Sequence, residues 1–446
     1  MTTTQLETSK RPVASWAELS KTRGAGEPAW AVEQRKRAAK IAETLPFPDR
    51  SQELWRRTDF GSLAFDTLDL DAATKTVRGF GELPQVMRSR LGAESDHPAA
   101  VIQWNNGTAI ELVSKELAAK GVIVCSMERA LREHAGKLES RLDTLVETDH
   151  DRFTALNQAL RSGGAFVWIP DGVEIEQPIR LVQWLDGANA AAHPATVVVL
   201  GVNARATVVE ELLSDNGEAP AFYNGATELF VGADAKLVYA TLQEWGRNVF
   251  HYSNQRAEVK RNGELQWVQT VLGGRMVKTN SYYRMVEPGA QVFVHGFMFG
   301  DGRQHFDMHT LQKHLADHCT SDLLIKSCLK DKARSVYQGL IQVAEGAQRT
   351  DAYQANRNLL LSDTARADSI PGLEILANDV RCTHGATIGT VDPEQMYYLM
   401  ARGLRAHEAQ RLIVEGFFGP VIDRIPLAHV REQLREVIQT KIGSPV

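Results

Sequence analysis

From Gly163 to about residue 380 the chain alternates apolar and polar positions in short runs, and small polar turns interrupt each run. Ala165-Phe166-Val167-Trp168-Ile169 is followed by Pro170-Asp171-Gly172. Turns of the same kind recur at Gly201–Ala204, Gly232–Ala235, Arg261–Glu264, Pro288–Gln291, Asp331–Arg334, Glu345–Gln348 and Asp363–Arg366. Their small residues Ala204, Ala233, Gly263, Ala290, Ala333, Ala347 and Ala365 lie 29, 30, 27, 43, 14 and 18 positions apart. These intervals fall near multiples of about 14, the kind of fixed period that stacked repeats produce. In a β-solenoid each coil buries its apolar face only by stacking on the next, so a small turn residue must recur. An antiparallel sandwich or jelly roll is the competing architecture.

The flanks read differently. Residues 1–28 are polar and predict a flexible tail. Residues 29–160 predict an α-rich N-terminal domain. Trp30, Val32, Ile41 and Leu45, with Arg35, Lys36, Arg37 and Lys40 between them, give an amphipathic helix that stops at Pro46 and Pro48. Leu112–Leu117 and Met127–Leu138 read as helical, and Gly121–Cys125 as a short strand. The β core is expected over 161–385 and a helical domain over 386–446. There Asp392-Pro393-Glu394-Gln395 is a helix start, with an Asp cap and Pro at the first position, and Gly403 closes that helix. A second helix starts near Ala406, with Ala409, Leu412, Ile413 and Phe417 on one face. A third follows Pro426 and carries Leu427, Val430, Leu434, Val437 and Ile438. These helices are expected to cap the last coil, whose edge is otherwise open.

Composition narrows the function. The 446 residues carry 50 Lys and Arg against 55 Asp and Glu, a net charge of −5. That excludes nucleic-acid binding driven by a global positive field. No apolar run approaches a membrane span, and the N-terminus has no apolar signal core, so a soluble chain with no membrane role is expected. The four cysteines, Cys125, Cys319, Cys328 and Cys382, form no CxxC pair. They point to a reducing cytoplasm and exclude a self-contained four-thiolate cluster protein. No Walker A loop occurs: in Gly273-Gly274-Arg275-Met276-Val277-Lys278-Thr279 no glycine directly precedes the lysine. GxGxxG, GxSxG and HExxH are absent as well.

Two segments could carry chemistry. In Gln304–His309, strand alternation puts His305, Asp307 and His309 on one face, either as a nitrogen–oxygen metal site or as the polar solvent face of a coil. His314, His318, Cys319 and Cys328 follow, the cysteines fitting burial as small hydrophobes. In Arg381–Thr387, Cys382 and His384 point the same way, about 7 Å apart along a strand. A thiolate with an imidazole suits zinc or iron–sulfur chemistry, but two ligands do not close a site, so distant residues or a partner chain must complete it. Burial of Cys382 beside a hydrogen-bonded histidine is the alternative. Met396, Tyr397, Tyr398 and Met400 cannot all be buried on one face of one helix, which leaves apolar surface for a partner.

Several longer stretches lead into this second segment: Gly339–Val343, Ala347–Gln354, Asn356–Ser362, Pro371–Ile375, Asn378–Gly389 and Tyr397–Leu404. In that order they resemble the SufB/SufD family of iron–sulfur cluster assembly proteins. Trp55-Arg56-Arg57-Thr58-Asp59-Phe60 is similar to the family's N-terminal Trp-Lys-Tyr-Thr-type segment, and Ile169–Val173 to its first core turn. The SufB branch would call for a cysteine beside Gln354 and for Glu-His-Glu-Ala at 383–386. Here Ala355 and Thr383-His384-Gly385-Ala386 favour the SufD branch, without the cysteine that anchors the nascent cluster on SufB.

The resemblance implies a right-handed parallel β-helix core between helical regions, paired with SufB through the β-helix. It implies C-terminal helices, with Met396, Tyr397, Tyr398 and Met400, that dock the ATPase SufC. It places His384 at the SufB interface as a candidate ligand to a transient iron–sulfur cluster or iron shared with SufB, and makes the chain a scaffold rather than an enzyme. It leaves open a homodimer of the isolated chain, a bound flavin and the role of Cys382. A carbohydrate-active solenoid enzyme and a stand-alone metal protein using His305, Asp307 and His309 are the alternatives.

Overall fold

The computed structural model describes residues 16–425 and 427–443. Two parallel sheets face one another and wind into a solenoid of about 8 turns. The first sheet is built from Ile179–Leu185, Arg205–Ser214, Lys236–Glu244, Glu264–Val271, Gln291–Gly300, Thr320–Leu329, Asp351–Leu360 and Arg381–Thr390. The second stacks Ala165–Ile169, Ala195–Leu200, Ala221–Val231, Val249–Val259, Met276–Met285, His305–His314, Arg334–Val343 and Arg366–Ile375. All of these neighbours pair in parallel, so the antiparallel sandwich is excluded. Lys236 pairs with Glu264 and Glu264 with Gln291, so one coil is twice the interval of about 14 read from the turns.

The turns explain the recurring small residues. Asn203, Asp234, Asn262, Gly289, His318 and Arg349 occupy the same turn position with φ between 51° and 75°. That left-handed conformation favours Gly, Asn and Asp. The residue that follows packs inward, which is why Ala204, Ala235, Ala290 and Cys319 are buried. Cys319 occupies this position one coil after Ala290.

The N-terminal end of the solenoid is closed. Ala99–Trp104 extends the first sheet in parallel with Ile179–Leu185, and Gly107–Val113 pairs antiparallel outside it. Leu112 and Val113, read as the start of a helix, belong to that strand, and the helix covers only Lys115–Ala119. Ile123–Ser126 closes the second sheet antiparallel to Ala165–Ile169. Residues 1–15 of the expected tail lie outside the described residues, but Trp16–Arg23 is a helix packed on Ala29–Thr44 and Arg152–Leu160. Helix Ala29–Thr44 buries Ala31, Ala38, Ala39 and Ala42, and also Arg35, which its pattern assigns to solvent. Glu27 accepts from Arg35 Nε and Nη2 at 2.6 and 2.5 Å, and the carbonyls of Ala159 and Arg161 take two further bonds. A fully partnered guanidinium can be buried.

The helical tail does not cap the last coil. Ala406–Ile422 and Ala428–Gly443 lie on the outer face of the first sheet. The reason is in the strands: Val209, Ala240, Val268, Phe297, Phe299 and Leu324 point outward and need cover. The buried face of the first of these helices is Ala409, Val414, Phe418, Val421 and Ile422, one position off the expected stripe, and Leu412 is exposed. Apolar residues occur on every side of this helix, also among His407, Glu408, Gln410, Arg411 and Glu415, so periodicity alone does not choose the face. Phe418 stacks on Phe297 with ring centroids 3.9 Å apart. Phe418→Ala should weaken tail docking by about 3–5 kcal/mol. Hydrogen exchange will then rise over 406–443 while the strands from 165 to 360 keep their protection.

Candidate functional site at the open end of the solenoid

The last coil consists of Arg366–Ile375 and Arg381–Thr390, and each is the edge strand of its sheet. Nothing among the described residues covers them, so each presents a row of unpaired backbone groups. The coil also exposes apolar side chains: Leu373, Ile375, Leu376 and Ile388, with Tyr353 one rung back. Leu376 is 61% exposed. Such a surface, at the end of an otherwise closed sheet stack, suits a second chain that continues the stacking.

His384 and Cys382 lie in this last coil, on the same inward side, as strand alternation requires. Cys382 is in register with the buried Ala352, and His384 with the buried Gln354. The two differ in exposure. His384 is open to solvent. Cys382 is half buried against the cluster of Ile341, Val343 and Ala352. Burial, with Asp351 nearby, pushes its thiol up, so it sits there as a neutral thiol and a packing residue. Among the described residues no group of three or more His, Cys, Asp or Glu is placed to hold a metal ion. A ligand at His384 therefore needs further donors from elsewhere. Sequence spacing identified both residues; it did not reveal that the penultimate rung turns polar beneath them, with Gln354, Asn356 and Asn358 buried in a row.

A second exposed surface is helix Pro393–Ala401. Asp392 caps it, its Oδ1 accepting from the Glu394 N–H at 2.8 Å, and Gly403 ends it with φ 96°. No residue of this helix is buried. Tyr397, Tyr398 and Met400 are 75%, 59% and 46% exposed, while Met396 is half covered. A groove between Tyr398, Leu399 and Ile413 adjoins them.

His305, Asp307 and His309 share one face of their strand, but neither expected reading holds. Instead of a solvent face, they lie under the N-terminal segment around Trp55. Instead of a metal, the Lys278 ammonium sits among them, 2.9 Å from Asp307 Oδ2 and 3.2 Å from His309 Nε2. His309 Nε2 also meets Asp307 Oδ1 at 2.9 Å. Lys278 donates to the Leu54 carbonyl at 2.8 Å and lies over the Trp55 ring. The Thr58 hydroxyl donates to Asp307 and meets His305 Nε2 at 2.9 Å. The Lys278 ammonium takes the place of a cation, so the cluster is a clamp that docks residues 54–58 on the solenoid. Lys278, four residues from the rejected phosphate-loop glycines, is the member sequence reading missed; its pairing register with Asp307 was the hidden signal.

Comparison with known proteins matches two family patterns. Residues 183–417 match the family described as SUF system FeS cluster assembly, SufBD core domain. Residues 20–181 match the SufBD protein N-terminal region. The chain is 29% identical over 418 residues to the iron-sulfur cluster assembly protein SufD of Bacillus subtilis, covering 93% of this chain and 95% of that one. It is 26% identical to iron-sulfur cluster assembly SufBD family proteins of Staphylococcus saprophyticus and Staphylococcus epidermidis. These matches cover 92% and 94% of this chain, and 89% and 90% of the relatives.

The clamp of residues 54–58 can be tested directly. Lys278→Met leaves the Asp307 carboxylate buried without its main partner and should cost about 3–5 kcal/mol in urea unfolding. Acid should open the same contact. Burial works against the Asp307 carboxylate, but Lys278, His309 and Thr58 outweigh it and hold it well below the usual range. Burial, aided by Arg334 and Lys278, holds His305 neutral down to about 4, against an ordinary 6.5. Both groups bind fewer protons folded than unfolded. Their contribution is therefore complete above about pH 6.5, and the His305 part is lost as pH falls toward 4. Limited proteolysis between residues 45 and 65 should accelerate over that window.

Proposed function

The chain belongs to the SufBD family of iron–sulfur cluster assembly proteins, and from that membership we propose that it is the SufD-type scaffold subunit of a cytoplasmic assembly complex. In this reading its open last coil pairs with SufB, and helix Pro393–Ala401 docks the ATPase SufC. The observation that carries the reading is the uncapped coil, whose exposed backbone edges and apolar side chains surround His384. A partner solenoid laid on that edge satisfies the backbone and brings its own donors to His384. The cargo is iron or a nascent iron–sulfur cluster held across the two chains, and an exposed imidazole nitrogen can supply one ligand to it. Cys382, as a neutral half-buried thiol, contributes packing rather than a second ligand.

The absence of a Walker A sequence supports ATP hydrolysis on a separate subunit. SufC on the exposed tyrosine helix would transmit its movement through the tail, which is seated on the first sheet by Phe418 and by the Lys326 ammonium donating to the Phe417 carbonyl. That route reaches the rungs next to the last coil, so an interface shift of the kind used in other switches can expose or close the site.

Co-expression with SufB and SufC partners is the test. A ternary complex should be recovered. His384→Ala should leave it assembled but lower its cluster content by about tenfold or more. Tyr397→Ala with Tyr398→Ala should release SufC alone. Failure to recover any complex would sink the scaffold reading, and full cluster content in His384→Ala would sink only the role of that residue.

A further inference from the structure

We propose that Gln354 is a positioning residue that holds the imidazole of His384 in one tautomer, an inference that rests on the role given to His384 above. The two residues end one inward-facing column of the first sheet. In register, coil by coil, that column reads Val208, Tyr239, Trp267, Val294, Leu323, Gln354 and His384. It changes from aromatic and aliphatic to an amide one rung before the histidine.

Gln354 is fully buried, and neither Oε1 nor Nε2 has a hydrogen-bond partner. An amide unpaired at both ends in the interior is costly and calls for an explanation. Its head group can be located. A Cβ built on Gly339, across the lumen, would lie 2.5 Å from both Gln354 Oε1 and Nε2 and close to the Tyr337 hydroxyl. The amide therefore rests directly on Gly339, and only glycine leaves room for it there. In the last coil, the residues stacked on Gln354 and Gly339 are His384 and Pro371. Proline offers no side-chain donor or acceptor. The Ser369 hydroxyl is likewise unpartnered, but it stacks on Tyr337 and not on the amide. His384, about 4.8 Å away along the stack, is the one polar side chain directly above. If Gln354 Oε1 accepts from one ring N–H, the other nitrogen keeps its lone pair and faces the open mouth. That is the form an incoming metal needs.

The test uses the full chain with ¹⁵N-labelled histidine at pH 8. His384→Gln identifies the His384 ring signals among the 13 histidines. In the wild type the ratio of the two tautomers should differ about fivefold from that of a free imidazole, the shift an ordinary hydrogen bond gives. Gln354→Leu removes both unpaired groups at nearly constant size, so the fold is not put at risk, and the ring signals should move to the mixture of a free imidazole. Gly339→Ala pushes the amide aside and should produce the same change. Ring shifts that stay unchanged in Gln354→Leu would overturn the proposal. Its failure is separable from failure of the functional reading: if His384→Ala keeps full cluster content but the tautomer still shifts in Gln354→Leu, the positioning stands and the cluster role falls.

Discussion

Every coil of this protein depends on its neighbour for both of the things a strand needs. Its backbone N–H and C=O groups pair only with the coils on either side, and its inward side chains are covered only by the next layer. This constraint makes the two ends of the stack unlike the middle. At the first end, Gly107–Val113 and Ile123–Ser126 turn antiparallel and terminate the sheets. At the other end, no such device exists among the described residues. The open coil is therefore incomplete as a structural unit, and the candidate site lies on that incompleteness rather than in a cleft.

The outer faces obey a second rule. Where outward positions of the first sheet are apolar, as at Val268, Phe297 and Phe299, the tail helices lie over them. Where outward positions of the second sheet are aromatic, as at Phe222, Phe250 and Tyr252, the segment with Trp55 and Phe60 packs down, with Trp55 stacked on Tyr252 at 5.6 Å. Beyond that aromatic patch the contact becomes ionic, through Lys278, Asp307 and Thr58. The flanking regions thus follow the surface chemistry of the coils, and both stop short of the last one.

Much of the architecture was legible in the chain. Alternation with small turn residues identified stacked β coils, and Asp392-Pro393 marked a helix start that the structure shows capped as expected. Cys382 and His384 fell on one face because strand alternation is strict. What was not legible is what depends on pairing between distant residues. His305, Asp307 and His309 read as a metal site or a solvent face because Lys278 is 29 residues away from Asp307 and joins it only through coil register. Arg35 looked solvent-facing because its partners Glu27, Ala159 and Arg161 come from other elements. The position of the tail was hidden for the same reason: the face that receives it is written into six separate strands, the sixth contributing Ala355 and Leu359. The isolation of Gln354 is a property of an entire column, visible only once the coils are aligned.

The clamp at residues 54–58 also orders events in time. Thr58 and Asp307 are separated by 249 positions, and Lys278 reaches back 224 to Leu54. During synthesis the aromatic half of that seat, at Phe222, Phe250 and Tyr252, is laid first, and the ionic half is absent until the strand carrying Asp307 has left the ribosome and been laid on its predecessors. Coils can accumulate one at a time, each on the last, while Leu54 and Thr58 wait for Lys278 and Asp307. A segment made early thus completes its contacts late, so its full docking reports that the stack has been built in the correct register as far as Asp307.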